Sequence, residues 1–240
     1  MKRRYKVNDD FFEKIDNKKK AYALGMIYAD GNVWRSKEWN SCIIDISQHE
    51  KDKDILIKLL DVFESDIKLV CRKDKNGSLF YSLRIHSTKM GDDLEKLGVH
   101  EKKSLILDFP NFIDDDLLGA FILGYFDGDG SIWEGKRKKM IVKNEKKPGT
   151  TRERIVHNVK FNFTGCEKFI LGLQNVLVEK YGFTKTKINY SKAKKEHTHC
   201  IMEYSGRKNL KRLYDIMYEN MSLFGQRKKD KFDKILNKND

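Results

Sequence analysis

Two short apolar stretches of one pattern lie 99 residues apart, and each ends in an Asp-Gly pair. The first, Ala21-Tyr22-Ala23-Leu24-Gly25-Met26-Ile27-Tyr28-Ala29, runs into Asp30-Gly31. The second, residues 117–126, runs into Asp127-Gly128-Asp129-Gly130. Both are too short to span a bilayer, so protein must cover them. Gly25 and Ala29 in one, and Gly124 and Gly128 in the other, are four apart and share a helix face. Small residues at that spacing let two helix backbones come close. One such helix could simply be buried with its glycines tolerated. The same face at equivalent positions in two helices points instead to a packed pair about an approximate two-fold axis.

The elements after each helix repeat too. Asn17 is placed to cap the first helix. Strands are expected at about 32–35 and 41–48, the second alternating Cys42, Ile44 and Ile46 against Ser41, Ile43 and Asp45. A helix over 51–64, a hairpin of 67–73 and 79–86 around Asp74-Lys75-Asn76-Gly77, and a helix over 88–97 complete the unit. In the second half Asp114-Asp115-Asp116 offers an N-cap and a negative first turn. A strand over 156–164 alternates Val159, Phe161 and Phe163 against Asn158, Lys160 and Asn162. Helices over 168–181 and 208–218 flank a hairpin of 186–191 and 198–205. The predicted fold class is α+β: two pseudo-two-fold-related α-β-β-α-β-β-α units, each with a curved antiparallel sheet, packed through the apolar helices. The units are 1–107 and 117–240, joined by a linker at 108–116. Corresponding strands are 117 apart rather than 99, so the second unit carries an insertion of 18 within 134–155. A basic helix over 226–236 closes the chain.

Charge is divided unevenly between the halves. The net charge is +13, yet residues 1–120 hold 22 basic and 22 acidic side chains, against 27 and 14 in residues 121–240. A general bias toward lysine would not be so one-sided. The surplus points to a polyanionic partner, since Lys and Arg contacts to phosphates release condensed counterions. Lys136, Arg137, Lys138 and Lys139 in the insertion are expected to grip backbone phosphates and to lack fixed structure without them. The four cysteines form no C-x-x-C pair, and His197-x-His199-Cys200 has no second ligand pair at zinc spacing. No apolar segment comes after Met1-Lys2-Arg3-Arg4, so a signal peptide is not indicated and a soluble, intracellular protein is expected.

Asp30 and Asp129 fall at the carboxyl ends of the two apolar helices, each followed by a glycine suited to a left-handed cap. After one helix, Asp-Gly is an ordinary turn. Side by side, two carboxylates at the negative ends of two helix dipoles repel unless a divalent cation sits between them. Hard oxygen donors with room for water and phosphate suit Mg²⁺, with Mn²⁺ as a substitute. An EF-hand reading of the segment from Asp127 fails, because its sixth and twelfth loop positions are Ile132 and Lys138. The outward strand positions Ser41, Ile43, Asp45, Asn158, Lys160 and Asn162, with Arg72, Arg84, Lys187 and Asn189 of the hairpins, form either a solvated sheet face or a surface for base edges. The helix pair favours the second.

The two nonapeptides, Ala23 to Gly31 and Ile122 to Gly130, resemble the signature motifs of the LAGLIDADG homing endonucleases. The repeat order over nearly the whole chain resembles the single-chain, two-repeat form of that family. The resemblance implies a monomeric, site-specific double-strand DNA endonuclease of the kind found in introns, with Asp30 and Asp129 binding the metal, helped by the carbonyls of Ala29 and Gly128. It implies that Gln48 positions active-site water, and that a basic residue after each repeat's last helix serves the site: Lys102 or Lys103, and Lys228 or Lys229. Tyr28 stands at the motif's earlier, non-ligand Asp. Gly165 stands opposite Gln48, which together with the lopsided charge implies unequal half-sites and a long non-palindromic target. No Ser, Cys or His nucleophile arrangement is present, which argues against covalent catalysis. The alternative is a non-cleaving DNA-binding regulator or an intron RNA maturase of the same fold; retention of both motif aspartates favours cleavage.

Overall fold

A computed structural model describes residues 4–36, 41–101, 103, 106–142, 151–190 and 199–238, with backbone alone at 36, 136–142 and 151–157. Helix α1 (Lys18–Asp30) starts where the Asn17 side chain accepts a hydrogen bond from the Lys20 amide at 3.1 Å. It continues directly into β1 (Gly31–Ser36), which pairs with β2 (Ser41–His49). A single 3-10 turn (Glu50–Asp52) leads into α2 (Lys53–Val62), and then come β3 (Val70–Lys73), β4 (Leu79–His86) and α3 (Thr88–Lys96). Asp74 shapes the β3–β4 turn by accepting from the amides of Asn76 and Ser78, and Gly77 supplies the positive φ of 88° the turn requires.

The second unit repeats this order: α4 (Asp115–Asp129), β5 (Gly130–Val142), β6 (Thr151–Cys166), α5 (Glu167–Glu179), β7 (Ile188–Tyr190), β8 (His199–Ser205) and α6 (Arg207–Tyr218), followed by α7 (Gln226–Leu236). The sheets are antiparallel, ordered β1-β2-β4-β3 and β5-β6-β8-β7. Cys42, Ile44, Ile46, Leu83 and Ile85 fill the inner face of one; Val159, Phe161, Phe163, Met202 and Tyr204 fill that of the other. Alternation therefore set the two faces correctly, with one correction. Ile43, expected on the open face, does lie there but is only 8% exposed, beside its cross-strand partner Trp34.

Two further expectations are corrected. Gly31 and Gly130 are extended (φ −75° and −92°), not left-handed, because each helix passes straight into a strand. Glycine is needed there for space. A Cβ on Gly31 would lie 2.7 Å from Ile27, and one on Gly130 would lie 2.2 Å from the Phe126 ring. The insertion is likewise not without structure: β5 and β6 run through it as a ribbon, in register from Lys136↔His157 to Val142↔Thr151. Ile141, Val142, Thr151, Ile155 and Val156 favour that extended form. Residues 143–150 lie outside the described residues, as do the side chains of Lys136, Arg137, Lys138 and Lys139.

The helix pair forms as the glycines require. A Cβ on Gly25 would fall 2.1 Å from the Phe121 carbonyl oxygen, and one on Gly124 would fall 2.0 Å from that of Tyr22. The contact is reciprocal and backbone on backbone, as an approximate two-fold axis demands. Every residue from Ala21 to Tyr28 is buried, which explains why this helix is apolar all round. One continuous hydrophobic cluster runs through both units.

Candidate active site

Because α1 and α4 cross closely and end together, their terminal carboxylates meet. The Asp30 Oδ2 atom lies 2.9 Å from the point a Cβ on Gly128 would occupy, so the acid of one helix abuts the end of the other. Gln48, buried on β2, donates from Nε2 to Asp30 Oδ2 at 2.6 Å. Burial raises the Asp30 pKa above its ordinary value, against the Gln48 hydrogen bond and the charges of Lys228 and Lys103. Asp129 is pushed up to about 6, first by burial and then by repulsion from Asp30, with Lys103, Lys228 and His199 opposing.

Each helix end carries a buried lysine. Lys103 donates from Nζ to the carbonyls of Tyr28 (2.8 Å) and Ala29 (3.0 Å). Lys228 donates to those of Phe126, Asp127 and Gly130 at 2.7 Å and Gly128 at 3.2 Å. Each is 7% exposed. An ammonium at this place satisfies carbonyls that a helix leaves unpaired and offsets the negative end of its dipole. Burial lowers both pKa values, that of Lys103 to about 8. Of the sequence candidates, Lys229 points elsewhere, to Tyr214 and Asp233, and Lys102 lies outside the described residues. The Ala29 and Gly128 carbonyls already accept from a lysine; each keeps a second lone pair.

Among the described residues no three His, Cys, Asp or Glu side chains converge as a metal cluster. The donors present are two carboxylates and neighbouring carbonyl oxygens. Asp30 and Asp129 repel each other, and this hard-oxygen pair suits a divalent cation of the Mg²⁺ type.

The surroundings of the two acids differ. A Cβ on Gly165 would fall 2.5 Å from the Tyr125 hydroxyl, which donates to the Thr164 carbonyl at 2.8 Å. Tyr125, in place of Met26 of the first helix, thus takes the space a counterpart of Gln48 would need. Beside it is a cavity of about 50 Å³ lined by Asp129, Tyr125, Gly165, Cys166 and His199 among others. His199 and Tyr125 were not expected at the site. Only the sparing Gly165 hinted at an unusual neighbour.

Motif position six tethers the following segment in both halves. Tyr28 donates from its hydroxyl to the Leu97 carbonyl. Asp127, 2% exposed, accepts at Oδ2 from the Tyr22 hydroxyl and the Gly225 amide, both at 2.7 Å. Burial pushes its pKa up to about 6. Gly225 immediately precedes α7, so this bond helps bring Lys228 over the helix end.

On the open sheet faces, Asp45 Oδ2 accepts from Arg84 Nε at 2.9 Å and lies 3.6 Å from Arg72. Lys160 donates to Glu203 at 2.6 Å, and Ser131 to Asn162 at 3.0 Å. Ser41 and Asn158 are half-buried, while Lys187 and Asn189 are exposed. Trp34 and Trp133, 99 apart and overlooked in the sequence, stand 41% and 50% exposed on the same faces.

Residues 116–218 match the family model of the LAGLIDADG-like domain. A comparison with curated protein sequences finds no match. Among solved structures, the LAGLIDADG meganuclease I-AabMI bound to uncleaved DNA is 14% identical, with a TM-score of 0.56 over 92% of this chain and 90% of its own. The homing endonuclease I-WcaI bound to its DNA recognition sequence is 15% identical, with a TM-score of 0.56 over 96% and 92%. I-SmaMI, bound to an uncleaved DNA target in the presence of calcium ions, is 14% identical, with a TM-score of 0.53 over 91% and 89%. These likenesses are of fold. No helix among the described residues is long and apolar enough to cross a membrane.

Proposed function

We propose, for a chain that carries a LAGLIDADG-like domain and has throughout the fold of single-chain LAGLIDADG meganucleases, that it is a site-specific double-strand DNA endonuclease. The observation that carries the reading is the meeting of Asp30 and Asp129 at the crossing of α1 and α4, each helix end held by its own buried lysine. Relatives of the same fold were solved on DNA, one of them with calcium.

Asp30 and Asp129 would hold the divalent cation, with the Ala29 and Gly128 carbonyls beside them. Such a cation supplies positive charge to the phosphorane-like transition state and acidifies attacking water. The chain's own residues do the rest. Gln48 fixes the Asp30 carboxylate by its 2.6 Å hydrogen bond and keeps a polar group toward water. Lys103 and Lys228 lock the helix ends and add positive field where a phosphate's charge grows. The open sheet faces, with Ser41, Asp45, Arg72, Arg84, Asn158, Lys160, Asn162, Lys187 and Asn189, address base edges, and the basic β5–β6 ribbon addresses the backbone. One chain supplies both halves, so a monomer acts on a non-palindromic site.

The test is cleavage of a plasmid library of random inserts with Mg²⁺ or Mn²⁺. Wild-type protein is expected to linearise a subset, and the Asp30→Asn and Asp129→Asn variants none. Protein that binds duplex DNA but never cuts it under these conditions is a regulator and ends the endonuclease reading. Preference for a structured RNA over duplex DNA would make it a maturase.

A further inference from the structure

The open face of the first sheet bears a carboxylate, Asp45, beside two arginines. Asp45 sits mid-strand on β2, in register with Asn32 on one side and Arg84 on the other. Its side chain is 15% exposed, against 37% for Arg84 and 53% for Arg72, so both guanidiniums overlie it. Ser47 donates to the other carboxylate oxygen at 3.2 Å. In the second sheet the ladder position of Arg84 is occupied by Glu203 and that of Asp45 by Asn162. The acid has changed strands, and it again holds a cation, Lys160, at 2.6 Å.

We propose that Asp45 is a specificity-determining residue, an internal anion that occupies Arg72 and Arg84 until a base edge of the right pattern replaces solvent beside them. This rests on the DNA-binding reading above. Arg84 commits its Nε proton to Asp45, and among the described residues its terminal nitrogens have no partner. A guanidinium has five N–H donors in a rigid fork, so the free ones can still reach two acceptors on a guanine. A phosphate makes a different demand. It draws the whole guanidinium toward itself, leaves a mostly buried carboxylate unpaired and brings a second anion near it. Asp45 therefore leaves base reading open while penalising phosphate binding at the same arginines. Without it, Arg72 and Arg84 are two more sequence-blind phosphate contacts.

The experiment compares two duplexes by fluorescence anisotropy across a potassium chloride series without Mg²⁺: one of random sequence, and one selected from a random library for retention by the wild-type protein. Asp45→Asn, which keeps shape and removes charge, is expected to bind the random duplex about three- to fivefold more tightly. Its plot of log affinity against log salt should steepen by about one. Affinity for the selected duplex should change less, so discrimination falls. Adding Arg72→Ala and Arg84→Ala to Asp45→Asn should abolish the gain. An unchanged ratio between the duplexes, or weaker binding to the random one, overturns the proposal while leaving the DNA reading intact. Failure of the wild-type protein to bind either duplex overturns both.

Discussion

At the scale of single residues, the site holds charge that destabilises the fold. Asp129 is pushed up to about 6, mainly by burial. A raised carboxylate pKa favours the folded state only while the group is protonated. That contribution is full below the unfolded value near 3.8 and lost as pH rises through about 6. At neutral pH the charged Asp129 therefore works against folding. Asp129→Asn is expected to raise Tm by about 2–4 °C near pH 7.5 in the presence of a chelator. Differential scanning calorimetry should show the gap closing as pH falls toward 4. Added Mg²⁺ should raise the wild-type Tm and leave the variant's nearly unchanged. A variant less stable than wild type at neutral pH would contradict the assigned electrostatics. The two aspartates were legible from residue type and place, and Gln48 only through the family resemblance. The lysines came from the family resemblance and only to within a residue, although Lys228, Phe232 and Ile235 at i, i+4 and i+7 already mark one face of the last helix. Tyr125 and His199 were not legible: alternation tells which face a strand residue takes, but not which helix side chain fills a gap beside it.

At the scale of elements, the contact between α1 and α4 leaves no room for an added carbon at its centre. Adding one methyl at Gly124 sets it 2.0 Å from a backbone oxygen, which no rotamer change can relieve. Gly124→Ala is expected to cost about 3 kcal/mol or more, read as a drop in the urea midpoint. Gly25→Ala should match it, since its contact is reciprocal. A variant of wild-type stability would mean that the helices part more easily than this packing implies. The paired glycines made this seam readable in advance. The glycines that come after the helices misled, because glycine marks a left-handed cap and a tight approach equally well. What decides is an atomic contact with Ile27 or Phe126, four residues back. The β5–β6 ribbon was hidden for a different reason: its dense lysines and arginines mask a β-branched content that suffices once the strand pairs are started.

At the scale of the whole molecule, the halves are bound by more than the helix pair. Arg227 of α7 makes a two-pronged ion pair with Asp52 of the first unit at 2.7 and 2.9 Å, and Lys58 donates to the Phe224 carbonyl at 2.7 Å. Yet the two acids sit in unlike pockets, one served by Gln48 and the other bordered by Tyr125, Gly165 and His199. Under the proposed function the two strands are then cut at different rates. Gln48→Ala is expected to slow one strand's cut by roughly tenfold or more, so that nicked circles build up before linear product. Strand-resolved electrophoresis of an end-labelled target checks this. Equal slowing of both strands would show that the two acids act as one undivided site.

The helix seam, where peptide groups of the two helices meet directly at Gly25 and Gly124, has a consequence for how such chains change. Most of the bonds that shape each acid's surroundings close within its own half: Tyr28 to Leu97 and Lys103 to Ala29 in one, Asp127 to Gly225 and Lys228 to Gly128 in the other, with Tyr22 to Asp127 crossing between them. Each half is a cartridge that brings its own acid, its own buried lysine and its own sheet. Its docking rail is one glycine of a facing pair, Gly25 in one half and Gly124 in the other. Exchange of whole halves across the segment at 108–116 would leave that rail intact, and the new pairing would have to restore the Tyr22–Asp127 and Asp52–Arg227 contacts that cross between the halves.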